Sequence, residues 1–568
     1  MEAPAARLRL ESTLKLCKYL AIGFFCWNSS GLIAFFHKRM KRLCSSAARF
    51  AAVLLSLWIT ILSAHASAKG VAEHVVVVVW DGMRPDFITS QYCPMLYSLA
   101  QDGVFFRNHH PAYVSSTEVN GTAIATGAHP DHSGVMANTD YRPEIGWLSP
   151  GGTESVDVIR RVDLLTGGHF IAVPTVAEIL HDKGIATIIA GSKPIALLHD
   201  RSQNRPTGNA ASNSVVLYKG QTMPRSVQAG LIKLNEDKQF PTNSVHPATA
   251  ANAWTTKSLT HGLWRKGVPK YTLLWLSDPD ASQHETAPGS DTSISAIEDC
   301  DRNLFELYKA LDEKKVADKT DIIVVSDHGF STIRKNANVA DILKKHRFRA
   351  SRKFEDAETG DIMVVGLGGS VALYVINHDE ETIQKLVRFL QGTDFAGVIF
   401  SRTEIEGTFP LDQVHLNTTN PVPDVVVSMR WTADLNDFGT PGMVIGENST
   451  KGKGTHASLS PYDMHNTLVA SGPDFRRGMV NDLPTGNIDV APTILWILGI
   501  NPPVKMDGRV LHEALADSRP PSAKPVTKTI EARRDLGPHV WKQYLKYTTF
   551  EGSVYYDEGN GAPILRDR

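Results

Sequence analysis

Hydrophobic and polar positions alternate between two patterns along the chain from Val71 onward. The run from His74 to Trp80 is apolar at almost every position, which predicts a strand buried on both faces of a parallel sheet. Similar apolar runs predict strands over 185–190, 271–276 and 321–325. Apolar residues at helical spacing predict helices over 94–102, 174–183 and 294–313. The alternation predicts the α/β fold class, with a doubly wound, mostly parallel central sheet and helices on both faces.

The pattern changes twice in the second half of the chain. Strands over 372–376, 398–401 and 424–429 around a helix over 380–390 predict a small α+β insertion, after which a strand over 468–470 and a helix over 488–498 resume the core. The last forty residues predict a short helix over 539–547 and a strand pair. The expected division is an upstream extension mis-assigned to the chain over 1–39, a signal peptide over 40–68, a catalytic core over 69–331 and 451–516, an inserted subdomain over 332–450, and a linker with a C-terminal extension over 517–568.

The N-terminal region contains a targeting pattern. A positive flank begins at Met40, an apolar run of twelve residues follows, and Ala66 and Ala68 form an A-x-A cleavage pattern. This layout predicts a signal peptide cleaved after Ala68 and export to the periplasm or outside the cell. The alternative is a membrane anchor, but the run is shorter than the roughly 20 residues that a span needs. No later segment predicts a membrane span in the mature chain.

Composition excludes some partners and leaves others open. The chain has 568 residues, is 42% hydrophobic and 21% charged, and carries a formal net charge of −1. We therefore expect a large globular core and no nucleic-acid-binding patch. Beyond the N-terminal region only Cys93 and Cys300 occur, which fits either one disulfide or two buried thiols.

Metal-ligating side chains follow several of the predicted strands. In an open α/β sheet, ligands bind at the carboxyl ends of the strands, so side chains placed there converge. A further histidine lies in the Gly-rich segment KGKGTHAS. The candidate ligands are three carboxylates and three imidazoles: Asp81, Asp280, Asp327, His284, His328 and His456. Mixed nitrogen and oxygen ligands suit zinc, with manganese or iron as weaker options, and six ligands suffice for two ions.

A hydroxyl nucleophile is expected near the start of the segment TEVNGTAIATGAHPDHSGVMAN. Its small residues Gly121, Ala123 and Ala125 predict a helix packed closely on the sheet. A hydroxyl is a poor nucleophile unless it is activated, for example by a metal ion. Local pattern alone leaves Ser115, Ser116 and Thr117 as equal candidates, because each can also cap the helix.

The segment resembles the type I phosphodiesterase/nucleotide pyrophosphatase branch of the alkaline phosphatase superfamily. Thr126-Gly127, Pro130, Gly134 and Asn138 match the branch's motif without a gap. The resemblance implies that Thr117 is the nucleophile and that Asn138 helps to hold a phosphate oxygen. It also implies two metal sites: Asp280, His284 and His456 in one, and Asp81, Asp327 and His328 in the other. The segments DVAPTILWILGI and MDGR are similar to the superfamily's closing helix and turn.

Two positions bear on the substrate. Glu118 follows the nucleophile where many members of the branch have a phenylalanine near the nucleobase, and a carboxylate there disfavours base stacking. Lys193 lies in a region where phosphomonoesterases of the superfamily often have a basic residue. Both are candidates for substrate binding, although a solvated surface lysine is an equally good interpretation of Lys193. His465 is a weaker candidate for lining the pocket.

These observations predict an exported, two-zinc phosphoesterase that acts on a small-molecule phosphate ester. The leading expectation is hydrolysis of phosphodiester or nucleotide pyrophosphate bonds through a covalent phospho-threonine intermediate. The alternatives are a phosphomonoesterase or a phosphonate hydrolase with the same site, and a non-catalytic exported binding protein.

Overall fold

A computed structural model describes residues 70–146, 148–202, 213–241, 245–417 and 422–566. The predicted upstream extension and signal peptide lie outside the described residues. No helix among the described residues is both long enough and apolar enough to cross a membrane.

A nine-stranded sheet forms the centre of the molecule, and His74–Trp80 is its middle strand. In spatial order the strands are Met479–Asn481, Val104–Phe106, Leu468–Ser471, Thr320–Val325, His74–Trp80, Tyr271–Leu276, Thr187–Gly191, Val215–Tyr218 and Gln221–Met223. The neighbours of the middle strand run parallel to it on both sides. Within the described strands of this sheet, antiparallel pairing occurs only around Leu468–Ser471 and at the Gln221–Met223 edge. The predicted α/β fold class with a mostly parallel sheet is therefore confirmed.

Helices cover both faces of this sheet. Val75, Val77 and Val79 of the middle strand belong to one buried cluster, and Val76, Val78 and Trp80 belong to the other, because successive side chains of a strand point to opposite faces. The helices of the first face are Thr117–Thr126, Val156–Thr166, Val176–His181, Ala196–His199 and Val490–Ile497, and those of the second are Pro94–Asp102, Gln228–Leu234, Thr249–Lys257 and Asp291–Glu313.

The region between the two core segments has its own sheets. Six strands pair in the order Ala350–Ser351, Ile362–Gly366, Ser370–Val375, Val425–Met429, Ala396–Ser401 and Phe409–Pro410, and the helices Val339–Lys345 and Glu380–Leu390 pack on one face. A four-stranded sheet joins this region to the core through Trp431–Leu435, Pro441–Glu447, Ser331–Ala337 and Gly454–Thr455. The domain boundaries drawn from the sequence stay predictions.

The predicted C-terminal helix over 539–547 is wrong. His539–Phe550 is the middle strand of a three-stranded antiparallel sheet with Val526–Asp535 and Ser553–Leu565. Trp541, Gln543 and Leu545 are buried at alternate positions, which is the period of a strand. The helix was inferred from a segment in which lysines and tyrosines between these positions obscure that alternation.

Candidate active site

All six predicted metal ligands lie at the carboxyl edge of the central sheet. Three parallel neighbouring strands end there, and each is followed by one or two of the ligands. His284 lies one turn after Asp280 on the helix Asp280–Thr286, and His456 follows the short strand Gly454–Thr455. Residues as far apart in the chain as Asp81 and His456 therefore meet, because parallel strands end at one edge of the sheet.

The ligand atoms are close enough to surround metal ions. Asp327 Oδ2 lies 3.2 Å from His328 Nε2, and Asp81 Oδ1 lies 3.7 Å from the same nitrogen. Asp280 Oδ1 lies 3.2 Å from His284 Nε2 and 3.7 Å from His456 Nε2. Separations of 3 to 4 Å between ligand atoms are those expected around ions with bonds of about 2 Å.

Backbone carbonyls orient all three imidazoles. Nδ1 of His328 donates to Gly329 O at 2.9 Å, Nδ1 of His456 donates to Ser115 O at 2.9 Å, and Nδ1 of His284 donates to Gly454 O at 3.2 Å. A carbonyl can only accept, so the proton is on Nδ1 and Nε2 carries the lone pair. Each Nε2 faces the carboxylates, which is the usual arrangement of a histidine that binds a metal ion.

The carboxylates provide the second test of whether this site fits metal ions. Asp81 Oδ1, Asp280 Oδ1 and Asp327 Oδ2 are buried and have no hydrogen-bond partner among the described residues. Burial and the carboxylate of Asp327 raise the pKa of Asp81 well above its ordinary value, and burial raises the pKa of Asp327 to about 6. Buried carboxylate oxygens without donors are costly unless a cation binds them, so the residues present fit a metal centre.

The ligands form two groups, and only one of these groups has the same members as a metal site implied by the family resemblance. Asp81, Asp327 and His328 form one group of mutually close ligand atoms, as expected. The other group contains Asp280 and His456 with His328 in place of His284. The His284 side chain is 41% exposed, and its Nε2 contacts Asp280 from the open side of the cluster. His328 lies between the clusters, with its ring stacked on that of His456 at 3.7 Å.

Thr117 is the hydroxyl residue that faces this cluster. It begins the helix Thr117–Thr126, and its Oγ1 lies 3.3 Å from His328 Nε2. Ser115 Oγ donates instead to Ser458 O at 3.0 Å. Ser116 occupies the N-cap position, and its side chain makes no capping hydrogen bond. The helix packs closely because Gly121 has no side chain: a Cβ there would lie 2.7 Å from Ile195 Cδ1 and 3.2 Å from the ring of Trp275 in the central sheet.

Asn138 lies beside the start of the same helix. Its Oδ1 accepts the backbone N–H of Glu118 at 3.0 Å. Asn138 lines both cavities that adjoin the ligand cluster.

Lys193 lies in the site, and the surface interpretation of this residue is wrong. Its Nζ lies 2.6 Å from Asp280 Oδ2 and 2.8 Å from Asp81 Oδ2. Although burial disfavours the ammonium, the carboxylates of Asp280 and Asp81 raise the pKa of Lys193 well above its ordinary value. Conversely, burial opposes ionisation of Asp280, but the Lys193 ammonium holds the pKa of that carboxyl well below its ordinary value.

Two cavities meet at the ligand cluster. The smaller, about 300 Å³, is lined by Thr117 and Glu118 and by two residues that sequence reasoning missed, Glu154 and Lys219. Neither follows a recognisable motif, so no local signal identifies them. Burial and the nearby Glu154 carboxyl raise the pKa of Glu118 well above its ordinary value.

The larger cavity, about 590 Å³, lies towards the inserted region. Arg352, Glu447 and the segment 364–368 of that region line it together with Asn138 and His456. Among the described residues, no phenylalanine, tyrosine or tryptophan lines either cavity.

Two cysteines and one histidine considered from the sequence lie outside the active-site cavities. Cys93 and Cys300 are buried free thiols, so the disulfide alternative is wrong. His465 lines neither of the two cavities and instead packs its ring 4.6 Å from that of His110.

The chain is similar in sequence and in fold to known phosphodiesterases. A family model described as type I phosphodiesterase / nucleotide pyrophosphatase matches residues 75–437, more than half of the chain. Rat ectonucleotide pyrophosphatase/phosphodiesterase family member 7 is 23% identical over 471 residues, which are 79% of this chain and 90% of the relative. Mouse bis(5'-adenosyl)-triphosphatase enpp4 is 21% identical over 440 residues, 77% of this chain and 80% of the relative. The solved structure of murine ectonucleotide pyrophosphatase/phosphodiesterase 5 superposes with a TM-score of 0.55 at 17% identity, covering 78% of this chain and 100% of the other, and it supports the alkaline phosphatase-like fold.

Proposed function

The chain belongs to the type I phosphodiesterase/nucleotide pyrophosphatase family, and from this premise we propose that it is an exported two-zinc phosphoesterase with Thr117 as its nucleophile. Its activity class is hydrolysis of phosphate esters, with the phosphodiesterase and nucleotide pyrophosphatase activities of that family. This membership also makes the chain an enzyme rather than a non-catalytic binding protein. The observation that carries the proposal is the position of Thr117 Oγ1, 3.3 Å from His328 Nε2 at the edge of the six-ligand cluster.

The family is metal-dependent, and we propose zinc as the ion for both sites, with manganese or iron as weaker options. Asp280, His284 and His456 would hold one ion, and Asp81, Asp327 and His328 the other. When bound, the two ions would lower the pKa of a coordinated hydroxyl or water and neutralise charge on the phosphoryl oxygens. The three unpartnered carboxylate oxygens support this assignment.

Thr117 would act as a covalent nucleophile. Its Oγ1 would lose its proton to solvent and form a bond to phosphorus, while the bond from phosphorus to the leaving-group oxygen breaks with its electron pair and that oxygen takes up a proton. A water oxygen would then attack phosphorus, the bond to Thr117 Oγ1 would break with its electron pair, and a proton from that water would restore the threonine hydroxyl. Asn138 would donate from its amide nitrogen to a non-bridging phosphoryl oxygen, together with the backbone N–H of Thr117.

The leading substrate class is phosphodiesters or nucleotide pyrophosphates. The names of the relatives support it, one being a bis(5'-adenosyl)-triphosphatase. A second class, phosphate monoesters or phosphonates, is favoured by one observation: the Lys193 ammonium lies within 3 Å of the cluster's carboxylates. A monoester dianion carries one more negative charge than a diester, and a nearby ammonium would stabilise it.

The nucleophile is tested by paired substitutions. We expect Thr117→Ala to lose at least about 1,000-fold in kcat while keeping its metal content, and Thr117→Ser to keep measurable turnover because it restores a hydroxyl. Ser116→Ala is the matched control, because that hydroxyl neighbours Thr117 but makes no capping bond. Activity retained in Thr117→Ala and lost in Ser116→Ala would transfer the role to Ser116.

The substrate class is tested by comparing kcat/KM for a nitrophenyl monoester, a nitrophenyl diester and a nitrophenyl nucleotide ester. The same comparison in Lys193→Met separates two roles for the ammonium. If Lys193 binds the extra charge of a monoester, kcat/KM for the monoester falls by about 10-fold or more relative to that for the diester. An equal fall for both substrates assigns Lys193 to balancing Asp81 and Asp280 instead, and removes the support for the second class.

The metal proposal is tested by elemental analysis of the purified chain. We expect zinc to exceed manganese and iron and at least two ions per chain. One ion or none in an active preparation would contradict the two-site assignment.

A further inference from the structure

A second cluster of metal-ligating side chains lies outside the proposed catalytic groups. His110 precedes the nucleophile helix, His465 precedes the strand Leu468–Ser471, and Asp557 lies on the C-terminal strand Ser553–Leu565. One ligand atom from each of the three lies within 4.8 Å of the others. Three segments that are far apart in the chain therefore place two imidazoles and a carboxylate around one point.

A backbone carbonyl occupies the same nitrogen, Nδ1, of both imidazoles. Nδ1 of His110 lies 3.0 Å from Thr485 O, and Nδ1 of His465 lies 2.9 Å from Pro461 O. Because a backbone carbonyl can only accept, each Nδ1 carries a proton, and each neutral ring offers the lone pair of Nε2. This is the arrangement of the three imidazoles in the active site, where backbone carbonyls also take Nδ1.

The carboxylate completes the cluster. Asp557 Oδ1 lies 3.2 Å from His110 Nε2, while Asp557 Oδ2 accepts from Thr548 Oγ1 at 3.1 Å. Both Asp557 and His110 are buried. A nitrogen lone pair and a carboxylate oxygen at this distance repel each other unless a proton or a metal ion lies between them. A proton on His110 would satisfy that one contact, whereas a metal ion would use the lone pair of His465 as well.

We propose that His110, His465 and Asp557 form a third metal site, which takes a zinc-like divalent transition ion. Two nitrogens and one oxygen suit such an ion, and the 3.2 Å separation matches neighbouring ligands of a tetrahedral site with bonds of about 2.0–2.1 Å. His465 is half-buried, whereas His110 and Asp557 are buried.

The site would be structural, because it joins the C-terminal sheet to the core. The same junction contains the hydrogen bond from Tyr555 OH to Asp489 Oδ2 at 2.9 Å. A metal ion bound only in the folded chain adds its binding free energy to stability. The proposal does not depend on the proposed function, since the ligands are distinct from the catalytic ones.

The test counts zinc in the full-length protein. The chain is stripped with a chelator, reloaded with zinc chloride, separated from free metal and analysed for zinc. We expect Asp557→Asn and His465→Gln each to bind one ion fewer than the wild type. Glu558→Gln is the matched control: it removes a charge from the neighbouring position of the same strand, and its zinc content should equal that of the wild type.

Zinc contents of Asp557→Asn and His465→Gln equal to that of the wild type would overturn the proposal and leave a protonated His110 paired with Asp557. If Asp557→Asn does not fold, the half-buried His465→Gln carries the same comparison. Zinc should also raise the Tm of the stripped wild type more than that of His465→Gln, and an equal rise would contradict the site. Because only the difference of one ion is interpreted, the outcome is independent of how many ions the active site takes.

Discussion

Replacing Trp275 with phenylalanine should weaken metal binding without removing any ligand. The Trp275 indole Nε1 donates to Asp81 Oδ2 at 2.8 Å, and both residues are fully buried. A hydrogen bond to a buried charged group contributes about 1.5–3 kcal/mol. Because 1.4 kcal/mol corresponds to a factor of ten, we expect Trp275→Phe to weaken zinc binding at the Asp81 site by about 10- to 100-fold.

Trp264→Phe is the matched control. Trp264 is also fully buried, but its Nε1 donates to the neutral Thr272 Oγ1 at 3.2 Å, away from the metal ligands. Both variants lose the same side-chain volume and should lose stability to the cavity that results. Only Trp275→Phe removes a donor from a metal-binding carboxylate.

Competition with a chromophoric zinc chelator measures the affinities of the full-length proteins, and urea unfolding of the stripped proteins measures their stability. We expect a lower zinc affinity at the Asp81 site in Trp275→Phe and the wild-type affinity in Trp264→Phe. Affinity of Trp275→Phe within twofold of the wild type would refute the reasoning. Equal losses in the two variants would refute it too, because they would trace the effect to packing.

Three further predictions concern pH, backbone packing and processing. Burial and the Asp474 carboxylate raise the pKa of Asp321 well above its ordinary value, so the folded state binds a proton that the unfolded state releases near pH 4, and stability falls as pH rises above that value. The free energy of unfolding of Asp321→Asn should therefore exceed that of the wild type by a margin that grows with pH. A margin that stays constant in urea titrations from pH 4 to 8 would contradict this. Gly329→Ala should lower the free energy of unfolding by about 1–3 kcal/mol and weaken zinc binding, because a Cβ there would collide with the Tyr462 carbonyl oxygen beside the ligands Asp327 and His328. If the variant has the same stability in urea and the same zinc affinity as the wild type, the backbone can shift to accept the methyl group. If the signal peptide is cleaved as proposed, N-terminal sequencing of the exported protein should begin at Lys69, whereas a retained hydrophobic segment would indicate an anchor.

The sequence by itself determined the core elements that have strong local patterns. His74–Trp80, Pro94–Asp102 and Tyr271–Leu276 form as predicted, because buried strands and amphipathic helices have distinct hydrophobic periods. The ligand types were also readable, since Asp81 and Asp327 directly follow strands of that kind. The period was not readable over His539–Phe550, where exposed and half-buried side chains of mixed character hide the alternation of a strand.

Only the tertiary structure decided which side chains share a site. Lys193 was equally consistent with a surface position until the sheet order placed the strand before it, Thr187–Gly191, next to Tyr271–Leu276 and its ammonium against Asp280 and Asp81. Glu154 and Lys219 lie in no motif, and their approach to the active-site cavity follows from long-range packing. The same holds for His110 and its partners. Periodicity reports the environment of each residue, whereas the meeting of residues hundreds of positions apart depends on strand order and packing that no local pattern encodes.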